Sequence, residues 1–236
     1  MRSLPHFWIK WYKSIIFVSV QTKIRMHLSA DALENPSDYR LVKKLDYSDI
    51  VPFILEYSWK RNLAIFMFFL LNGVVLLFLL YQTIRLIGFS GFSWFSILRH
   101  ALLGLVILPM LTVPVHELIH GLVYLLAGAP GIHFGADLRQ FIFYVTAHRY
   151  VVNSTRFFAV ALSPFIIVSA LLAWLCFNTG SELTAWSFLI ALFAHSTMCI
   201  GDVAMISFFL EHKAKKLYTF DDVKEKTSYF YEKIIR

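Results

Sequence analysis

The side chains best suited to chemistry stand together inside an apolar stretch, His116-Glu117-Leu118-Ile119-His120, preceded by Pro114-Val115 and followed by Gly121-Leu122-Val123. On a helix, positions i and i+4 share one face a turn apart, so both imidazoles can reach a single Zn²⁺. Glu117, beside the first histidine, is then placed as a general base toward a water that the metal has acidified, not as a ligand. Nothing after Pro114 forbids a helix. Among nine histidines in 236 residues, the pattern arises by chance in about one such chain in a hundred. Three ionisable groups within five positions of an apolar run are expensive to keep in a membrane. The bland alternative has the histidines snorkelling at the membrane edge with Glu117 paired to an arginine, whereas one bound ion accounts for all three.

A catalytic zinc takes a third protein ligand and keeps one position for water. Val123 and Leu126 occupy the places where a longer HExxHxxGxxH motif would continue, so the third ligand comes from elsewhere. Asp202 leads the candidates as the only acid within the body of the last long apolar segment, next to Gly201, which permits close helix approach. Depth agrees: Leu98 to His116 is about 27 Å of helix and Leu183 to Asp202 about 28 Å, and both segments run in the same direction. His133, Asp137 and His148 are rival ligands, and Asp202 has an alternative as an interfacial partner of Lys213 or Arg156. His195, Cys199 and Asp202 fall at i, i+4 and i+7 on one helical face. His195 could orient Asp202, stabilise an oxyanion or serve as another ligand, or be a buried histidine bonded to a backbone carbonyl. Cys199 reads as a buried thiol.

The elements that must hold these groups are apolar and long. Of the residues, 58% are hydrophobic and 16% charged, against roughly a quarter charged in soluble chains. One soluble core of this size could not bury so much apolar side chain. The formal charge is +7, but the basic residues lie between apolar runs and form no aromatic-interleaved stripe, which excludes nucleic acid as a partner. Cys176 and Cys199 sit inside apolar runs, so no disulfide framework is expected. Residues 63–84, 98–126, 157–181 and 183–210 are long enough to cross about 30 Å of hydrocarbon. The second is too long for one straight crossing, and Pro114 predicts a kink there, with a spanning part to about Val113 and a separate helix carrying the polar residues. Residues 140–152, rich in β-branched and aromatic side chains, predict a small β-hairpin between the second and third crossings.

The fold class expected is thus a mainly α membrane protein of about four transmembrane helices. Lys43, Lys44, Lys60 and Arg61 precede the first crossing, Arg139, Arg149 and Arg156 lie between the second and third, and Lys213, Lys215 and Lys216 follow the fourth. The positive-inside rule then places both termini in the cytoplasm, with Arg85 and Arg99 in the first outer loop as the dissenting charges. Residues 1–61 read as an N-terminal cytoplasmic or interfacial segment, in which 7–20 is a candidate interfacial helix or an upstream extension before Met26. Residues 62–212 form the membrane-embedded unit and 213–236 a basic cytoplasmic tail.

The HELIHG motif at 116–121, the FIFYVTAHRYVV segment, the RFFAVALSP run at 156–164 and the Gly201-Asp202 pair resemble the zincin peptidases, a family of bacterial membrane proteins. More distantly, the chain is similar to the site-2 protease group of intramembrane metalloproteases, from which it departs at Val203. The resemblance implies His116, His120 and Asp202 as zinc ligands and Glu117 as the base. It also implies an integral protein of the bacterial cytoplasmic membrane that hydrolyses peptide bonds of a membrane-associated substrate. The alternative class is a metal-binding membrane protein without hydrolysis, a transporter or scaffold. Against a transporter, the ionisable residues cluster at one depth, and the first crossing carries only Asn72 and Gln82 as strongly polar side chains. A lipid-modifying hydrolase is a further option.

Overall fold

A computed structural model describes residues 28–137, 140, 142–213 and 216–234. The 7–20 stretch and the start before Met26 lie outside those residues, as do Arg139 and Lys215. The chain opens with a single turn, α1 (Ala30–Leu33), whose first amides are capped by the Ser29 hydroxyl, and continues as β1 (Tyr39–Asp46). A 3-10 turn at Tyr47–Asp49 leads into α2 (Ile50–Ser58). Asn62, whose side chain accepts from the Ile65 amide, starts α3 (Leu63–Phe89). Ser93 caps α4 (Trp94–Leu102), which passes through a π turn at Leu103–Ile107 into α5 (Leu108–Leu126). A hairpin of β2 (His133–Asp137) and β3 (Ile142–Thr146) follows. The short β4 (Val152–Asn153) runs directly into α6 (Ser154–Asn178), capped by the Asn153 side chain. Then come α7 (Glu182–Met198), α8 (Ile200–Glu211), β5 (Leu217–Asp222) and β6 (Thr227–Lys233).

Four helical runs are long and apolar enough to cross a membrane: Leu63–Phe89, Trp94–Leu126, Ser154–Asn178 and Glu182–Glu211. The last is the most buried and sits at the centre, where α7 packs against α3, α4 with its π turn, α5 and α6. The outer helices turn apolar side chains outward, among them Phe66, Leu77 and Ile84 on α3 and Leu118, Leu122 and Leu126 on α5. Such a surface suits hydrocarbon and not water.

The helix runs through Pro114 as one element, so the separate helix expected beyond that residue is not found; a π turn interrupts the α-helical pattern upstream. Its cause is contact with α7. Gly104 lies so close that a Cβ would stand 2.6 Å from the Ser187 carbonyl oxygen, and the Ser187 hydroxyl donates to the His100 carbonyl at the entrance to the turn (2.9 Å). A small residue and an interhelical hydrogen bond are the usual means of drawing two apolar helices together.

The segment read as a basic tail is a strand pair. It forms the middle of a four-stranded antiparallel sheet in the order β1-β6-β5-β4, with Leu45 opposite Ser228, Thr219 opposite Phe230 and Val152 opposite Thr219. One face of the sheet packs on α2 and α8 through Leu45, Phe53, Phe208, Phe209 and Phe230. At the sheet's margin the Arg149 guanidinium bonds Asp31 (2.6 Å), Glu34 (2.9 Å) and Asp222 (3.4 Å); desolvation would lower its pKa, but those carboxylates outweigh it and raise the pKa above its usual value. The hairpin expected at 140–152 is present, displaced toward the N-terminus: His133 pairs with Thr146 and Asp137 with Ile142. Gly135 leaves room for the Tyr144 ring, which would have to shift if a Cβ stood there. Tyr144 packs edge-on against Tyr47, and Gln140 donates to the Tyr47 carbonyl, so the hairpin is pinned to the end of β1.

Candidate metal centre

α5 presents His116 and His120 inward, toward α7, α8 and α6, while Leu118 and Leu122 take the opposite, exposed face. The central run breaks at Cys199 (φ −71°, ψ 5°), and the new helix α8 begins at Ile200, so Asp202 falls in its first turn. An acid there is favoured by the helix dipole and by the unsatisfied amides of the first turn. Gly201 contributes less than expected, since a Cβ there would only reach ordinary contact with Ile54 of α2 at 3.4 Å.

Three ligand side chains converge. The His116 and His120 Nε2 atoms are 3.0 Å apart, with Asp202 Oδ2 3.2 Å from His116 Nε2 and Asp202 Oδ1 3.4 Å from His120 Nε2. Zinc–nitrogen bonds of about 2.0–2.1 Å at tetrahedral angles separate two donors by about 3.3 Å, so the spacing matches a common cation. The orientation matches as well. His120 Nδ1–H donates to the Val160 carbonyl (3.0 Å), which leaves the lone pair of a neutral ring on Nε2, pointing at its neighbours. Two nitrogen lone pairs and a carboxylate aimed at one point repel unless a cation lies among them. The donor set therefore fits Zn²⁺ on its chemistry.

Glu117 stands beside this group. Its carboxyl meets the backbone amide of Val145 on β3 and lines, with His116, His120 and Asp202, a cavity of about 340 Å³. The opposite wall is β3 together with residues of the sheet, including Thr219, Asp221 and Phe230. Asp221 is buried, which raises its carboxyl, and it accepts from the hydroxyls of Ser228 and Thr146.

Of the rival ligands, none joins this group among the described residues. His148 Nδ1 accepts from the Val223 amide (3.2 Å) beside Asp222, and its ring meets His133 edge-on at 6.1 Å. Asp137 accepts from Gln140 at 2.9 Å. His195 and Cys199 lie next to His116 on the far side from His120 and form with it a second cluster of potential donors. Two contributors carry no sequence signal as strong as the histidines: Val145 acts through its backbone and Gly104 through having no side chain.

Residues 109–217 match a protein family described as "Putative zincin peptidase", which covers α5, the hairpin, α6, α7, α8 and the first residue of β5. Neither the curated proteins nor the solved structures hold a match to the chain.

Proposed function

We propose that the chain is a membrane-embedded zinc metalloprotease that hydrolyses peptide bonds in or near the bilayer, with His116, His120 and Asp202 as ligands and Glu117 as the general base. The observation that carries this is the convergence of three ligand side chains, each with an atom 3.0–3.4 Å from its neighbours, beside a carboxyl that opens on a cavity. When bound, zinc supplies Lewis acidity, polarising a scissile carbonyl and acidifying water. Asp202 and the two imidazoles hold it. Glu117 takes the proton from the attacking water and can return it to the leaving amine. Its anchorage on the Val145 amide keeps the carboxyl facing the cavity.

β3 is paired only with β2 among the described residues, and its residues Tyr144, Val145 and Thr146 line the cavity. An extended substrate segment, supplied by a membrane-associated protein, adds to that edge and lies across the metal site. The sheet, with Lys43 and Lys44 on β1 and Arg149 beside it, closes the same end of the bundle and faces the cytoplasm of a bacterial cell by the positive-inside rule. Arg85, a dissenting charge at the other end, pairs with Glu182 at 3.2 Å. A cavity beside the base favours hydrolysis over metal storage or transport. Replacing Glu117 with Gln tests it: zinc stays bound and cleavage of a membrane-protein substrate is lost, whereas undiminished cleavage would refute the mechanism.

A further inference from the structure

Given the zinc site proposed above, we infer that His195 is a positioning residue for His116, accepting its Nδ1 proton and thereby keeping its Nε2 lone pair on the metal. His116 Nδ1 lies 3.3 Å from His195 Nε2, and His195 Nδ1 lies 3.4 Å from Ser169 Oγ. These distances define a chain with one consistent direction. If His116 Nε2 faces a cation, the proton of the neutral ring is on Nδ1, so His195 must accept on Nε2, and its own proton then sits on Nδ1 facing the Ser169 hydroxyl. The reverse direction would put a proton on His116 Nε2, aimed at His120 Nε2 only 3.0 Å away, and leave no lone pair for a metal.

Among the described residues His116 Nδ1 meets His195 Nε2 on that side and, at the longer distance of 3.9 Å, the Cys199 sulfur. His195 is 2% exposed and Cys199 1%, so water does not replace the contact. The Cys199 thiol donates to the His195 carbonyl at 3.2 Å, with its sulfur 3.9 Å from His116 Nδ1 and 3.8 Å from His195 Nε2. The two ligand imidazoles thus have different supports. His120 leans on a carbonyl of α6, and His116 on a second imidazole from α7. Since α7 also ends at the break that delivers Asp202, one helix sets both the orientation of one ligand and the position of another.

The same atoms allow a rival arrangement in which His116 Nδ1, His195 and Cys199 are themselves the metal ligands and His120 and Asp202 are not. Zinc binding separates the two. Full-length wild type, His195→Leu, His195→Phe, His195→Gln, Cys199→Ala, His116→Ala and Asp202→Ala are purified in one detergent, and zinc affinity is measured by competition with a chromophoric chelator. Loss of an outer-shell partner of a ligand histidine weakens zinc about 10–100-fold. His195→Leu should show that loss, as should His195→Phe, which keeps a ring in place should the leucine variant not fold. His195→Gln, whose side-chain carbonyl can accept from Nδ1–H, should recover to within a few-fold of wild type. Cys199→Ala should bind as wild type, and cobalt-substituted wild type should show no sulfur-to-metal charge-transfer band. Unchanged affinity in both His195→Leu and His195→Phe overturns the inference while leaving the zinc site standing. Loss of stoichiometric zinc in Cys199→Ala with retention in Asp202→Ala overturns it in favour of the rival set. Absence of zinc from wild type overturns the zinc site itself.

Discussion

Gly104 sets how closely the metal-bearing helix approaches the central one, and Gly104→Ala should disturb both stability and zinc binding. A Cβ at this position would lie 2.6 Å from the Ser187 carbonyl oxygen and 2.8 Å from Ile190 Cβ. Reaching ordinary contact at 3.4 Å requires the helices to separate by about 0.6–0.8 Å at this level. Neither neighbour can step aside: one is backbone, and the other is a branched carbon next to it. Overpacking of this kind costs about 1–3 kcal/mol, while the change from Gly to Ala in a helix returns up to about 1 kcal/mol. The net expectation is a loss of up to about 2 kcal/mol. The displacement also exceeds the roughly 0.5 Å within which a metal constellation must be held, so zinc affinity should fall about tenfold or more. Thermal unfolding and chelator competition in the same detergent measure the two effects. Gly73→Ala on α3 is the control, since nothing lies within 4 Å of its Cβ position. If Gly104→Ala matches both wild type and this control in melting and in zinc affinity, the packing argument is wrong.

Three further outcomes can be checked. Asn72 accepts from the Ser196 hydroxyl at 2.7 Å and donates to the Phe68 carbonyl at 2.9 Å while buried in α3. Asn72→Leu should lower stability by about 1 kcal/mol in a thermal melt, because Ser196 keeps a second acceptor at the Phe193 carbonyl. Arg149→Ala removes the link between α1, β5 and the loop that follows β3, and should cost about 1–2 kcal/mol, since two of its three partners are largely exposed. Proteolysis of the sheet segments should quicken while the helices stay intact. Burial would push the Asp222 carboxyl up, but the amides of Glu225 and Lys224 and the Arg149 guanidinium outweigh it and hold the carboxyl below its ordinary value. A depressed acid stabilises the fold above its unfolded pKa and loses that contribution as pH falls through the folded one. Melting temperature should therefore drop below about pH 4 more steeply in wild type than in Asp222→Asn.

The helices were legible because hydrocarbon demands long uncharged runs, and the four runs stand out between Lys60, Arg85, Arg156 and Lys213. The second was misjudged in detail. Pro114 is a local signal and predicts a boundary that the continuous helix does not have, whereas the π turn at Leu103–Ile107 lies against Ser187 through Gly104, residues far apart in sequence. The C-terminal strands were hidden by the lysines of 213–216 and by the lack of a period-two alternation in Leu217–Asp222 and Thr227–Lys233, which sit largely buried once paired. β2 escaped notice because Gly135 interrupts its run of side chains. At the site, the histidine pair was visible from its i, i+4 spacing and Asp202 from its depth. The environment of His195 was not, because hydrogen-bond direction depends on which neighbour each ring nitrogen meets.

Metal analysis of purified wild type beside His116→Ala and Asp202→Ala tests the central claim most directly. Wild type should carry one zinc per chain, and both variants should lose it while keeping their helical content. Zinc retained at full stoichiometry in Asp202→Ala, or absent from wild type, would contradict the site.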